Sequence, residues 1–295
     1  MLWIFATLVA ALAQTARNAM QNSLTATLGT VGATQVRFLY GFPFALIFLL
    51  VASTIAHSAV PPTNLEFLSF TAVGAIAQIA GTALLLAAMR ARSFSVATAF
   101  TKTEAVQVAV FGVVILGDHL TWLRAAAILI ATAGVFLVAV KRGEKWDRRS
   151  LRPALYGIGS GSLYAIAAVG FRGGILSLAD GAYFLRATTT LVWSLGFQTA
   201  LLGCWLSLFD RAGLRKSLTV WRQSLFAGFM GAFASQFWFL GFALTSAANV
   251  RTLGLVEVLL AQVVSRRVFS EVASTRELAG MALVVAGVGV LLLSQ

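Results

Sequence analysis

Long apolar stretches separated by short polar breaks fill the chain, at 2–20, 34–56, 65–89, 93–116, 120–140, 153–176, 182–208, 219–245, 247–269 and 275–294. A helix needs about 20 largely apolar residues to cross a bilayer, so the pattern predicts ten transmembrane helices. The loops between them have no room for a soluble catalytic or nucleic-acid-binding domain. The expected fold class is an all-α integral membrane protein.

Composition agrees: 59% of the 295 residues are hydrophobic, 11% are charged, and the mean hydropathy is +0.88. That excludes an ordinary water-soluble globule. A net charge of +12 would suggest nucleic acid in a soluble protein; in this chain its position along the sequence makes it a matter of membrane topology. A lone Cys204 leaves no internal disulfide, and His57 and His119 lie in loops without companion ligands. No metal or cofactor is expected. Ala11-Leu12-Ala13 imitates a leader-peptidase site, but no basic segment precedes it, so the first helix is expected to stay.

Sliding the sequence against itself by 153 residues lays the fourth and fifth helices on the ninth and tenth without a gap. Glu104 meets Glu257, Asp118 meets Glu271, and Ala133-Gly134 meets Ala286-Gly287. Earlier helices align with small drifts, Arg17 with Arg172 and Arg37 with Arg186. The chain therefore divides into a first five-helix repeat (1–140), a basic linker (141–152) and a second five-helix repeat (153–295). Five is odd, so the second copy enters the membrane from the opposite side. Inverted repeats of this kind place a binding site near the midplane between the halves, as carriers do.

Loops after odd-numbered helices hold eleven Lys and Arg residues, and loops after even-numbered helices hold none. Such asymmetry keeps the basic loops in the cytoplasm, which puts 141–152 inside and both ends outside. Trp122, Trp146 and Trp221 fall near helix ends, where interfacial anchors belong. The expected location is a bacterial inner membrane.

Charges inside the apolar stretches cost several kcal/mol and mark function or a partner. Lys102, Glu104 and Glu257 lie about ten residues into their helices, near the midplane at 1.5 Å per residue. Lys102 and Glu104 are two apart and cannot pair on one helix, so each needs a partner elsewhere. Arg17, Arg37, Arg172, Arg186 and Arg251 lie nearer the helix ends. Six basic against two acidic groups make the pathway electropositive, which favours a carboxylate-bearing substrate and assigns the glutamates to ion pairs. Asn18, Gln78, Trp193, Gln236 and Trp238, with Gln14, Thr101 and Gln107, complete the candidate cavity lining.

Gly157/Gly161 and Gly170/Gly174 are spaced by four, for close helix approach. The small faces of helices five and ten suit either rigid packing or a homodimer contact. Gly157-Ile158-Gly159-Ser160-Gly161 lacks the lysine and the preceding strand of a phosphate loop. No hydrolase triad or paired acid and base appears.

Ser95-Val96-Ala97, Glu104, Leu116-Gly117-Asp118-His119-Leu120-Thr121 and Ala133-Gly134-Val135, echoed by Ser246-Ala247-Ala248, Glu257, Glu271 and Ala286-Gly287-Val288, resemble the EamA-type repeat of the drug/metabolite transporter superfamily. The resemblance implies ten helices in inverted five-helix repeats, a central cavity, and export or uptake of small metabolites such as amino acids. Ala105 and Val258 stand where that family usually has proline after the glutamate, which removes the usual cause of a kink. Asp118 stands where it more often has Glu. The family's usual topology, with both ends cytoplasmic, opposes the loop charge, and the charge is followed here. The reading is a non-enzymatic secondary carrier, probed against a channel or lipid scramblase built on the same bundle. Its partners are a small-molecule substrate and the lipid bilayer, with no nucleic acid.

Overall fold

The computed structural model describes residues 1–91, 100–139, 148–260 and 274–294. Every regular element among them is a helix: α1 (Leu2–Ala56), α2 (Leu65–Ala91), α3 (Glu104–Leu116), α4 (Trp122–Ala139), α5 (Arg148–Ser177), α6 (Tyr183–Phe209), α7 (Arg211–Thr219), α8 (Trp221–Leu244), α9 (Ala247–Leu253) and α10 (Thr275–Leu293). A further helical turn, 256–260, follows α9. Helix occupies part of each of the ten expected spans. Among the described residues, six stretches are long and apolar enough to cross a membrane: Val31–Ala56, Leu65–Ala88, Ala154–Ser177, Tyr183–Phe209, Ser224–Leu244 and Thr275–Leu293. Leu2–Arg17, Glu104–Leu116 and Trp122–Val138 are apolar but shorter.

The chain forms two compact units, Met1–Ile79 with Gly170–Thr245, and Ala80–Val169 with Ser246–Gln295. Each draws on both halves of the sequence.

In the first unit α1 is interrupted at Gly29, whose φ of 70° and ψ of 179° belong to a region that essentially only glycine adopts. Chain direction changes there. A Cβ on Gly231 would lie 3.2 Å from Arg37 Cγ and 3.7 Å from Arg17 Cδ; twenty residues of straight helix would separate those arginines by about 30 Å, so α1 folds back on itself. The segment 21–33, expected as a loop, is helical on either side of this one residue. His57, in the left-handed region at φ 46°, ends α1. Asn64 starts α2 by accepting from Phe67 N at 2.7 Å, and its amide donates to Ser177 O at 2.9 Å, tying the start of α2 to the end of α5.

The basic segment after α6 is helix α7 rather than loop. Asp210 caps it by accepting from Gly213 N, and Tyr40 of α1 hydrogen-bonds to Ser217 O and Leu218 O. Small residues bring backbones together here as expected: a Cβ at Gly170 would sit 2.8 Å from Phe70 O, and one at Gly174 would sit 2.6 Å from Thr71 Oγ1.

In the second unit α4 and α10 pack along a glycine seam. A Cβ at Gly134 would lie 2.6 Å from Gly280 O and 2.7 Å from Val284 N; one at Gly287 would lie 2.7 Å from Ala127 O and 2.5 Å from Ala131 N. Numbers rise on one helix as they fall on the other, so the pair is antiparallel. At the 153-residue offset, Gly134, Ala127 and Ala131 correspond to Gly287, Gly280 and Val284, which makes the contact reciprocal. The small faces of helices five and ten thus close on each other within one chain. Helix starts match as well: Thr121 Oγ1 accepts from Arg124 N, and its counterpart Ser274 accepts from Glu277 N in a full capping box.

Of the linker 141–152, residues 148–152 form the first turns of α5, and 141–147 fall outside the described residues.

Candidate functional site

Two helix breaks set the charged residues of the second unit. Phe100 and Thr101 are helical, Lys102 and Thr103 form a turn, and α3 starts at Glu104. The second half of the sequence behaves alike: α9 ends at Leu253, Gly254 and Leu255 form a turn, and helix resumes just before Glu257. Neither break has proline. At the first, Thr103 Oγ1 donates to Phe100 O at 2.7 Å, supplying a partner to loosened backbone, and accepts from the Gln107 side chain at 3.0 Å. Gly161 of α5 leaves the space, because a Cβ there would sit 2.8 Å from Thr101 O.

The breaks present four charges that pair crosswise between the sequence halves. Lys102 Nζ lies 2.7 Å from Glu257 Oε2, and Arg251 Nε lies 2.9 Å from Glu104 Oε1. The four side chains are between 7% and 12% exposed. The glutamates correspond at the 153-residue offset, but their partners do not: Lys102 aligns with Leu255, and Arg251 aligns with Thr98. Each acid is two residues or six from its own half's base and uses the other half's base instead. Where desolvation is expensive, such pairs hold only with good geometry, and breaking one strands a buried charge.

The remaining candidates lie in the first unit. Arg17 and Arg37 are 6% and 5% exposed and converge on Gly231. Arg37 also lies 5.0 Å from the centre of the Phe38 ring. Buried Trp238 donates to Gln14 Oε1 at 2.9 Å. Gln78 Oε1 accepts from Gln198 Nε2 at 2.7 Å, and Gln236 Nε2 donates to Thr188 Oγ1 at 2.9 Å. Arg172 donates from Nη1 to Phe242 O at 2.7 Å and also to Thr245 O, meeting the negative end of α8. Arg186 Nη1 reaches Leu178 O at 3.4 Å. Trp193 is 38% exposed and stands edge-on to Phe67. The side chain of Asn18 falls outside the described residues, as do Glu271 and Trp146.

Sequence reading missed Gln198 and Thr188, the hydrogen-bond partners of Gln78 and Gln236. Gln198 was visible as the one amide in the apolar run of α6; Thr188 carried no signal in its Thr188-Thr189-Thr190 run.

Long apolar helices, two of them interrupted beside paired buried charges, mark an integral membrane protein. Residues 1–140, just under half of the chain, match the model of the EamA-like transporter family. One crystal structure, described only as that of a protein, matches at TM-score 0.68 and 14% identity over 99% of this chain and 94% of that chain. That likeness shows the fold alone. No curated protein matches the sequence significantly.

Proposed function

We propose that the protein is a secondary carrier for a small carboxylate-bearing solute, such as an amino acid, built from two inverted five-helix repeats and working by alternating access. The observation that carries the reading is the crossed pair of ion pairs, each set beside a proline-free helix break. Broken helices in membranes are tolerated where they line protein or a wet path, and in carriers they flank the site. The crossed pairs couple the two sequence halves, so that making and breaking them gives a charge-neutral latch. The antiparallel, reciprocal α4–α10 contact supports inversion, because equivalent helices of inverted repeats run in opposite directions.

Loop charge supports a cytoplasmic linker 141–152, and export across a bacterial inner membrane is the direction proposed with it. Purified protein in proteoliposomes, screened by thermal shift against amino acids, organic acids, nucleobases and organic cations, tests the function. Saturable counterflow of a carboxylate solute is expected. Non-saturating flux, or lipid flipping alone, overturns the reading in favour of a channel or scramblase.

A further inference from the structure

Helix α7 follows a span that ends at Phe209 and precedes one that begins at Ser224. Its nine residues cover about 13 Å at 1.5 Å per residue, too short to cross a hydrocarbon layer about 30 Å thick. It therefore lies where both spans meet the membrane surface.

One side of α7 is packed and pinned. Ser217 is buried, Leu214 is half-buried, and Tyr40 Oη of α1 reaches Ser217 O at 3.2 Å and Leu218 O at 3.3 Å, meeting last-turn carbonyls that have no partner within the helix. The other side is basic. Arg211, Arg215 and Leu218, spaced by four and three, share an exposed face, and Lys216 is exposed next to Arg215. Arg222, exposed at the start of α8, lies 5.4 Å from the centre of the Trp221 ring. Four bases thus fall within the twelve residues 211–222, and among the described residues none of them is ion-paired. Asp210, just before them, is engaged in capping α7 through Gly213 N.

Helix stability does not explain this arrangement. Arg211 stands in the first turn, where a cation opposes the helix dipole, and it repels Arg215 four residues on. An anion from outside the helix relieves both. The flanks say where that anion comes from. Trp205, Leu208 and Phe209 at the end of α6, Leu218 on α7 and Trp221 at the start of α8 are all exposed, with the rings of Trp205 and Phe209 5.6 Å apart. Side chains of this kind anchor at the edge of the hydrocarbon, tryptophan at headgroup level. The bases accordingly have acyl-chain contacts on both sides, which a lipid satisfies and a water-borne polyanion does not.

We infer that α7 is a binding surface for anionic phospholipid, with Arg211, Arg215 and Lys216 taking headgroup phosphates and Phe209, Leu218 and Trp221 meeting the acyl chains. A short basic amphipathic helix in the interface plane gains from anionic lipid in this way. The inference is independent of the carrier reading. It also goes beyond the effect of loop charge on orientation, because it requires lipid bound to the folded protein rather than charge acting during insertion.

The test uses the full chain in nanodiscs of phosphatidylcholine in which phosphatidylglycerol progressively replaces the neutral lipid. The unfolding temperature should rise with phosphatidylglycerol and saturate. Arg211→Gln, Arg215→Gln and Lys216→Gln should each weaken the apparent affinity about fivefold, the scale of one basic residue beside an anionic leaflet, and Arg211→Lys and Arg215→Lys should keep most of it. Arg276→Gln, an equal loss of charge at the start of α10, should leave it unchanged. Should the Gln variants fail to fold, wild type decides: phosphatidylglycerol with brominated acyl chains should quench tryptophan fluorescence more than brominated phosphatidylcholine at the same fraction, and Trp205→Phe with Trp221→Phe should abolish the difference. Absence of saturation, equal weakening by Arg276→Gln, or equal quenching by the two lipids would overturn the inference. So would the same stabilisation from inorganic phosphate or polyglutamate added to pure phosphatidylcholine discs, which would assign the bases to a soluble anion.

Discussion

Lys102 donates to Glu257 at 2.7 Å across 155 residues of sequence, and Glu257 stands 153 residues after Glu104, itself only two residues from Lys102. The lysine thus reaches past the nearby glutamate of its own sequence half to that of the other. Lys102→Met should strand Glu257 and cost about 3–5 kcal/mol. Lys102→Met with Glu257→Leu should recover most of that loss. Reversible unfolding in mixed micelles measures both, and an additive double variant would show that the contact carries no coupling.

Glu104→Gln removes the charge facing Arg251 while keeping the shape. Transport or stability should fall, and the pH dependence of counterflow should persist, because an ion-paired carboxylate is a latch component rather than a proton carrier. The same holds for Glu257→Gln. Transport retained with a flat pH profile in either variant would assign that glutamate to proton exchange instead.

The seam between α4 and α10 predicts a steep size limit. Gly287→Val and Gly134→Val push side chains against backbone at 2.5–2.7 Å and should each destabilise by about 1–3 kcal/mol or more. Gly289→Ala, two residues along α10, meets nothing within 4 Å and should be neutral or stabilising by up to about 1 kcal/mol. Thermal unfolding of the three variants separates packing from helix propensity.

Gly29→Ala should cost about 1–3 kcal/mol through backbone strain alone, because open space surrounds the position. Equal unfolding temperatures for the variant and wild type would contradict the backbone conformation given for the reversal of α1.

Orientation is read by fusions. A reporter active only outside the cytoplasm should be silent within 141–147 and active after Gln295. The opposite pattern would show that the usual family topology overrides the eleven basic residues between the apolar stretches.

Hydropathy made the apolar stretches legible because burial in lipid leaves a continuous compositional trace. It also showed that Lys102 and Glu104 needed partners off their own helix. Three things escaped it. Helix α7 is short and polar, and the polar run 21–28 continues the first helix, so neither stands out from a loop by hydropathy. The breaks before Glu104 and Glu257 lack proline; the first depends on the hydroxyl of Thr103 and on space left by Gly161 in a distant helix, which is tertiary information. Choice of partner escaped as well, since nothing local tells Lys102 to prefer Glu257.

The reciprocal seam also governs how the two halves can change over time. Enlarging residue 134 displaces backbone at 280 and 284, and enlarging 287 displaces backbone at 127 and 131. A substitution in one half is therefore tested against the frame of the other. Loops and outward faces are free to drift, whereas α4 and α10 must remain small together, each acting as the template against which the other is selected.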